Sequence, residues 1–172
     1  MAVVDYKSTA ITGADATPAT LSNRALVRGP AYKALAKFEI AAGDDDTTKL
    51  RICRLPSNAI VTSIKIYNDA IAGSTSWDVG LYQTGYNGGA VIDADLFASA
   101  VDINAGLAGT ELRFEAATTA PIDYIEYRLW QIADLGAATY AADPQIEFDL
   151  VATANTIGTA AGTIIFVVEY TV

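Results

Sequence analysis

The sequence predicts an all-β fold, a two-sheet antiparallel β-sandwich with one short helix and an extended N-terminal arm. Three observations carry that reading. Apolar and polar residues alternate with period two through most of the 172 residues, the mark of half-buried strands. Turn-forming residues separate about eight such runs, each with an apolar face that needs a second sheet to cover it. Only one segment has the three-to-four spacing of a helix.

The first 30 residues follow neither period, are rich in Ala, Thr and Ser, and end in Arg28-Gly-Pro30. They read as an extended arm, residues 1–30, ahead of a sandwich domain, residues 31–172. The arm is expected to be poorly ordered in the free protein and to order along another chain. Tyr32, Ala34, Ala36, Phe38 and Ile40 then alternate with Lys33, Leu35, Lys37 and Glu39, up to the turn Ala42-Gly-Asp-Asp-Asp46. The next run places Leu50 and Ile52 opposite Lys49 and Arg51, and Pro56-Ser-Asn58 stops it. Ile60, Ile64 and Ile66 share a face opposite Ser63, Lys65 and Tyr67, and Trp77, Val79 and Leu81 repeat the pattern. Leu112 and Phe114 alternate with Glu111, Arg113 and Glu115. Ile146, Phe148 and Leu150 alternate with Gln145, Glu147 and Asp149, and the last run aligns Ile164, Phe166, Val168, Tyr170 and Val172. Between them, Ile122, Ile125, Leu129 and Ile132 recur at helical spacing, with Pro121 suited to a first turn and Gly136 to a stop. A helix over 121–135 follows.

Composition narrows the function. Hydrophobic residues make up 52% and charged residues 18%, so the surface must be rich in Ala, Thr, Ser and Gly, a surface that packs closely against neighbours. There is no histidine, which removes the commonest general base and metal ligand together. The single Cys53 has no activating partner and is expected to be an inert, buried thiol. The start, Met1-Ala-Val-Val-Asp-Tyr-Lys7, has no basic segment leading into an apolar one, and Ile164-Ile-Phe-Val-Val168 is too short to cross a bilayer. The expectation is a soluble chain with no membrane partner. The net charge is -9, but its balance is +3 up to Lys65 and -12 beyond it. A pI of about 4.3 disfavours nucleic acid, whose phosphates require a basic stripe.

Candidate chemistry is sparse. Asp44-Asp-Asp46 and the Asp93/Asp95 pair offer oxygen ligands without a cation-loop spacing, and read as a hairpin tip and as caps of a short turn at Leu96-Phe97. Glu111/Glu115 and Glu147/Asp149 alternate with core residues, which puts them on exposed strand faces, a setting that does not suit glycosidase acid and base work. Trp77 and Trp130, with nine tyrosines, supply the aromatics of a sugar platform, yet Trp77 is in register with Val79 and Leu81 and reads as core. No catalytic residue, metal site or cofactor is expected.

The stretch Ser76-Trp-Asp-Val-Gly-Leu-Tyr-Gln83, continuing through Thr84-Gly-Tyr-Asn-Gly-Gly-Ala90 to Ile103, resembles a segment of virion structural proteins of tailed bacteriophages. The resemblance takes in Arg54-Leu-Pro-Ser-Asn-Ala59, Tyr67-Asn-Asp-Ala70, Arg128-Leu-Trp-Gln-Ile132, Asp149-Leu-Val-Ala-Thr-Ala-Asn-Thr156 and Ala161-Gly-Thr163, so it covers most of the chain after Lys49. It implies a particle component, and by analogy with viral proteins a jelly-roll-like strand order. The role expected from it is that of a capsid decoration, or cement, protein on the outer capsid surface of the virion. Its partners would be the major capsid protein and copies of itself, as a dimer or trimer, with docking through Arg24, Arg28, Lys33 and Lys37. The alternatives are a tail- or head-associated module that binds host-surface glycan and, less simply, a cell-wall hydrolase.

Overall fold

The computed structural model describes residues 12, 15–20, 29–42, 44–73, 75–116, 122–136, 147–157 and 160–172. Most of the expected arm, including Arg24 and Arg28, lies outside the described residues. Among the described residues there are eight strands: β1 (Ala31–Ile40), β2 (Lys49–Pro56), β3 (Ile60–Asn68), β4 (Ser76–Gln83), β5 (Val91–Asp102), β6 (Leu107–Glu111), β7 (Glu147–Thr156) and β8 (Gly162–Thr171). They form two antiparallel four-stranded sheets, ordered β1-β8-β3-β6 and β2-β7-β4-β5.

That order follows one rule. The first strand pairs with the last, the second with the seventh, the third with the sixth and the fourth with the fifth. The chain is thus a long antiparallel ribbon folded at the β4–β5 turn and wrapped around itself, which brings β3 against β8 and β4 against β7. Eight strands wound this way are a jelly roll.

Register explains the core. In the first sheet Ala34, Val168 and Ile64 form one row across the inner face, and Ala36, Phe166 and Ile66 the next. Small residues on the edge strand leave room for Phe166, which meets Phe38 edge-on at 6.4 Å. In the second sheet Leu50, Ala152, Val79 and Ala98 make the corresponding row. Trp77, Leu81, Phe97, Phe148 and Phe166 are wholly removed from water, and each such side chain contributes roughly 1.5–3 kcal/mol of transfer free energy. Gly80 lets β5 cross close over β4: a Cβ there would stand 2.0 Å from the Asp93 carbonyl oxygen.

The period-two runs account for β1, β2, β3, β4, β7 and β8, whereas the run over 111–115 begins where β6 ends and β5 shows no such run. Leu96 and Phe97 are buried inside that strand, so Asp93 and Asp95 cap no turn there. Repeated register shifts against β4 break the alternation that would have revealed it. Helical spacing also overreached. Ile122–Tyr124 is a single 3-10 turn, and the helix, α1, occupies only Leu129–Gly136. Its first N–H groups explain the late start: Leu129 and Trp130 donate to the carbonyls of Ala59 and Ser57, and Gln131 Oε1 accepts from the Arg128 N–H. Leu129 and Ile132 are buried, whereas Ile122 and Ile125 remain exposed. Gly136 ends the helix as expected.

Candidate functional site

Side chains pointing away from the core define what this protein offers to others. On the first sheet, β1 is an edge strand that presents Lys33, Leu35, Lys37 and Glu39. Leu35 is 67% exposed and lies beside Val167, with Lys65 next to it across β8. Lys33 approaches Glu169 at 3.9 Å, and Lys37 pairs with Glu39 at 2.8 Å. The Lys37–Glu39 hydrogen bond holds the ammonium above and the carboxyl below its ordinary value. Of the four cations expected to dock, two are therefore exposed on one edge strand, and Arg24 and Arg28 lie outside the described residues. A shallow groove of about 210 Å³ follows on the same face, lined by Tyr67, Asn68, Asp69, Leu107, Ala108, Thr163 and Ile165. Its one carboxylate, Asp69, accepts from the Thr163 N–H.

The second sheet carries its charge differently. At its β2 edge Arg51 and Arg54 share the buried carboxylate of Asp149, at 2.7 and 2.8 Å, and Lys49 sits 5.1 Å over the Tyr82 ring. At its β5 edge are Asp93, Asp95 and Asp102. Burial, then the neighbouring Asp95, raises the Asp93 carboxyl above its ordinary value. Strands β1 and β2 lie on one side of the sandwich. The stretch after β6 joins β5 on the other, through the Ala116 N–H to the Phe97 carbonyl and the Ser99 N–H to Glu115. One side thus gathers Lys33, Lys37, Lys49, Arg51 and Arg54, and the other Asp93, Asp95, Asp102 and Glu111. Glu39 and the turn Asp44-Asp-Asp46 lie on the first side as well, so the imbalance along the sequence does not become a division of the two sides by charge.

Several carboxylates read from sequence as exposed have structural work instead. Asp149 is 4% exposed because two guanidiniums cover it. Glu111 accepts from the Ser63 hydroxyl and from the N–H groups of Ile64 and Arg113, tying off the end of β6. Arg113 is the larger correction, for it is fully buried. Its guanidinium lies about 5 Å from the rings of Phe97 and Phe114 and donates to the carbonyls of Val61 and Tyr124. Burial lowers its pKa to about 10, with Glu111 opposing, so it is charged at neutral pH. Alternation placed it outward because β6 has already ended at Glu111. The acidic turn is not the hairpin tip expected, because β1 and β2 lie in different sheets and it connects one to the other; in it Asp44 accepts from the Ala41 N–H and Asp46 from that of Ile157.

Among the described residues, no three His, Cys, Asp or Glu side chains are grouped to hold a metal ion, and no helix is long and apolar enough to cross a membrane. Burial, with Asp149 adding to it, pushes the Cys53 thiol up to about 12, far from a nucleophile's range. Trp77 is core. Exposed tyrosines are dispersed: Tyr86 at the β4–β5 turn, Tyr32 stacked on Tyr170, and Tyr127 stacked on Tyr124.

Solved structures share this architecture. A chain of the cyanophage Pam1 capsid asymmetric unit matches with a TM-score of 0.52 and 12% identity, over 92% of this chain and 96% of that one. A chain of the capsid of Ralstonia phage GP4 matches with a TM-score of 0.51 and 15% identity, over 81% and 84%. The fold is one found in phage capsids. Near-equal coverage on both sides makes these likenesses between whole chains of similar length, and they support the resemblance to phage virion structural proteins. No protein-family model and no curated protein matches the chain.

Proposed function

We propose that this protein is a phage capsid decoration protein that binds the outside of the assembled shell and reinforces it against the pressure of packaged DNA. The observation that carries the reading is the whole-chain jelly-roll likeness to components of two phage capsid structures. A small chain with an isolated, fully wrapped core is suited to an added part, since it folds without the shell and then attaches. Each copy that bridges neighbouring capsomers adds its binding free energy to the cohesion of the shell, and many copies multiply the effect. The partners are the major capsid protein and further copies of this chain. Arg24 and Arg28 together with Lys33 and Lys37 on β1 contact an acidic shell, so attachment weakens with added salt.

No catalytic step belongs to this role. Among the described residues Glu111 and Glu115 are committed to main-chain partners and Asp149 to two arginines, and the Cys53 thiol is unactivated. Heat-induced DNA release from particles with and without the protein tests the reading. Decorated particles should release DNA at a higher temperature. Equal heat resistance combined with failure of the stripped particles to adsorb to cells would overturn it in favour of host-glycan recognition.

A further inference from the structure

The second sheet has opposite charge at its two free edges. Strand β2 carries Lys49, Arg51 and Arg54 and no carboxylate, whereas β5 carries Asp93, Asp95 and Asp102 and no cation. Lys49, Arg51 and Arg54 are exposed on one edge and Asp102 on the other, with Asp93 and Asp95 half-buried. The acidic groups between the edges are accounted for. Asp149 binds both arginines, Glu147 lies 3.9 Å from Arg54, and Asp78 accepts from the Ala100 N–H and the Asn155 amide. Three cations at the basic edge therefore face two carboxylates of their own chain. At the acidic edge, none of the three carboxylates meets a lysine or arginine among the described residues. Asp93 and Asp95 are held together instead, with the Asp95 N–H donating to Asp93 Oδ1. Like charges kept close without a counter-charge are a cost that an incoming cation relieves.

We propose that the β2 edge of one copy docks head to tail on the β5 edge of a second copy of this chain, with Lys49, Arg51 and Arg54 facing Asp93, Asp95 and Asp102. The complementary surface is the chain's own opposite edge, in the same sheet. The main chain of β2 and the part of β5 ahead of Phe97, which the stretch after β6 leaves uncovered, are covered in one contact. A contact between two different patches is heterologous, so it makes no two-fold dimer and builds a ring where its rotation closes and an open chain where it does not. Exposed ion pairs are individually weak and are screened by salt, so the association is salt-sensitive and strengthens where copies are concentrated side by side. It does not depend on shell binding, and the purified chain tests it alone.

The test mixes unlabelled and ¹⁵N-labelled full-length protein and treats it with a carbodiimide, which joins a lysine amine directly to a carboxylate. Within one copy, β2 and β5 are separated by two strands, about 14 Å at ~4.8 Å per strand spacing. A bond between Lys49 and Asp93, Asp95 or Asp102 that carries both isotopes is thus a contact between copies. That product is expected at low ionic strength and should be lost in high salt. In sedimentation, Lys49→Glu and Asp95→Lys should each abolish association while leaving the circular dichroism and melting temperature near wild type. The combined Lys49→Glu/Asp95→Lys chain should associate again, because the exchanged residues once more bring opposite charges together across the contact. Mixed-isotope products elsewhere only, no such product at all, or a combined variant no better than either single one would overturn the proposal.

Discussion

Replacing Arg113 by Met tests how the sandwich closes at its β5/β6 side. The methionine keeps the stem between Phe97 and Phe114 but removes the charge and every donor. The Val61 carbonyl, bonded by Arg113 Nε at 3.0 Å in a buried setting, then loses that partner at a cost of about 1–3 kcal/mol. The Tyr124 carbonyl is only part-buried, so water takes over much of its bond. Losing the contact of the cation with two rings adds about 0.5–2 kcal/mol, and ending the burial of a charge returns part of the total. The net expectation is a loss of about 2 kcal/mol, or a fall of roughly 4–8 °C in melting temperature for a chain of this size. Urea denaturation should show a lower midpoint at unchanged slope. A variant as stable as wild type, or more so, would refute the reasoning, because burying the charge would then cost more than its hydrogen bonds return.

Three further outcomes follow from the same geometry. Asp149→Ala should cost about 1–3 kcal/mol, and not more, because the half-exposed Arg51 and Arg54 it leaves behind regain water; denaturant midpoints measure it. Gly80→Ala should destabilise by about 1–3 kcal/mol, since the added Cβ meets backbone of β5 and not a flexible side chain, and hydrogen exchange should quicken along β5. Cys53 holds its proton more tightly folded than unfolded, so its contribution is present below pH ~9 and is lost as pH rises toward about 12; alkylation at pH 8 should be negligible until denaturant is added.

How far the sequence reveals the fold depends on which link is asked for. Alternation exposes β1, β2, β3, β4, β7 and β8, because each is half-buried and nearly regular. It misses β5, whose register shifts put Leu96, Phe97 and Ala98 side by side in the core. It extends the helix to Ile122 and Ile125, since the carbonyls of Ser57 and Ala59, which fix where α1 begins, belong to a distant turn. Arg113 looks exposed for the same kind of reason: its carbonyl partners lie on β3 and at Tyr124. Strand order is a property of long-range pairing, which local pattern does not encode. The charged edges of the second sheet could not be assembled before it, although the imbalance between the halves of the chain is plain from composition.

The central claim is that this chain sits on the outside of an assembled phage shell. Adding the purified protein to particles that lack it, and imaging them by electron cryomicroscopy, tests that most directly. Saturable, symmetry-related density is expected on the outer capsid surface, lost at high salt, with the jelly roll fitting it and its first sheet toward the shell. Density confined to the tail, or an undecorated shell at saturating protein, would contradict it.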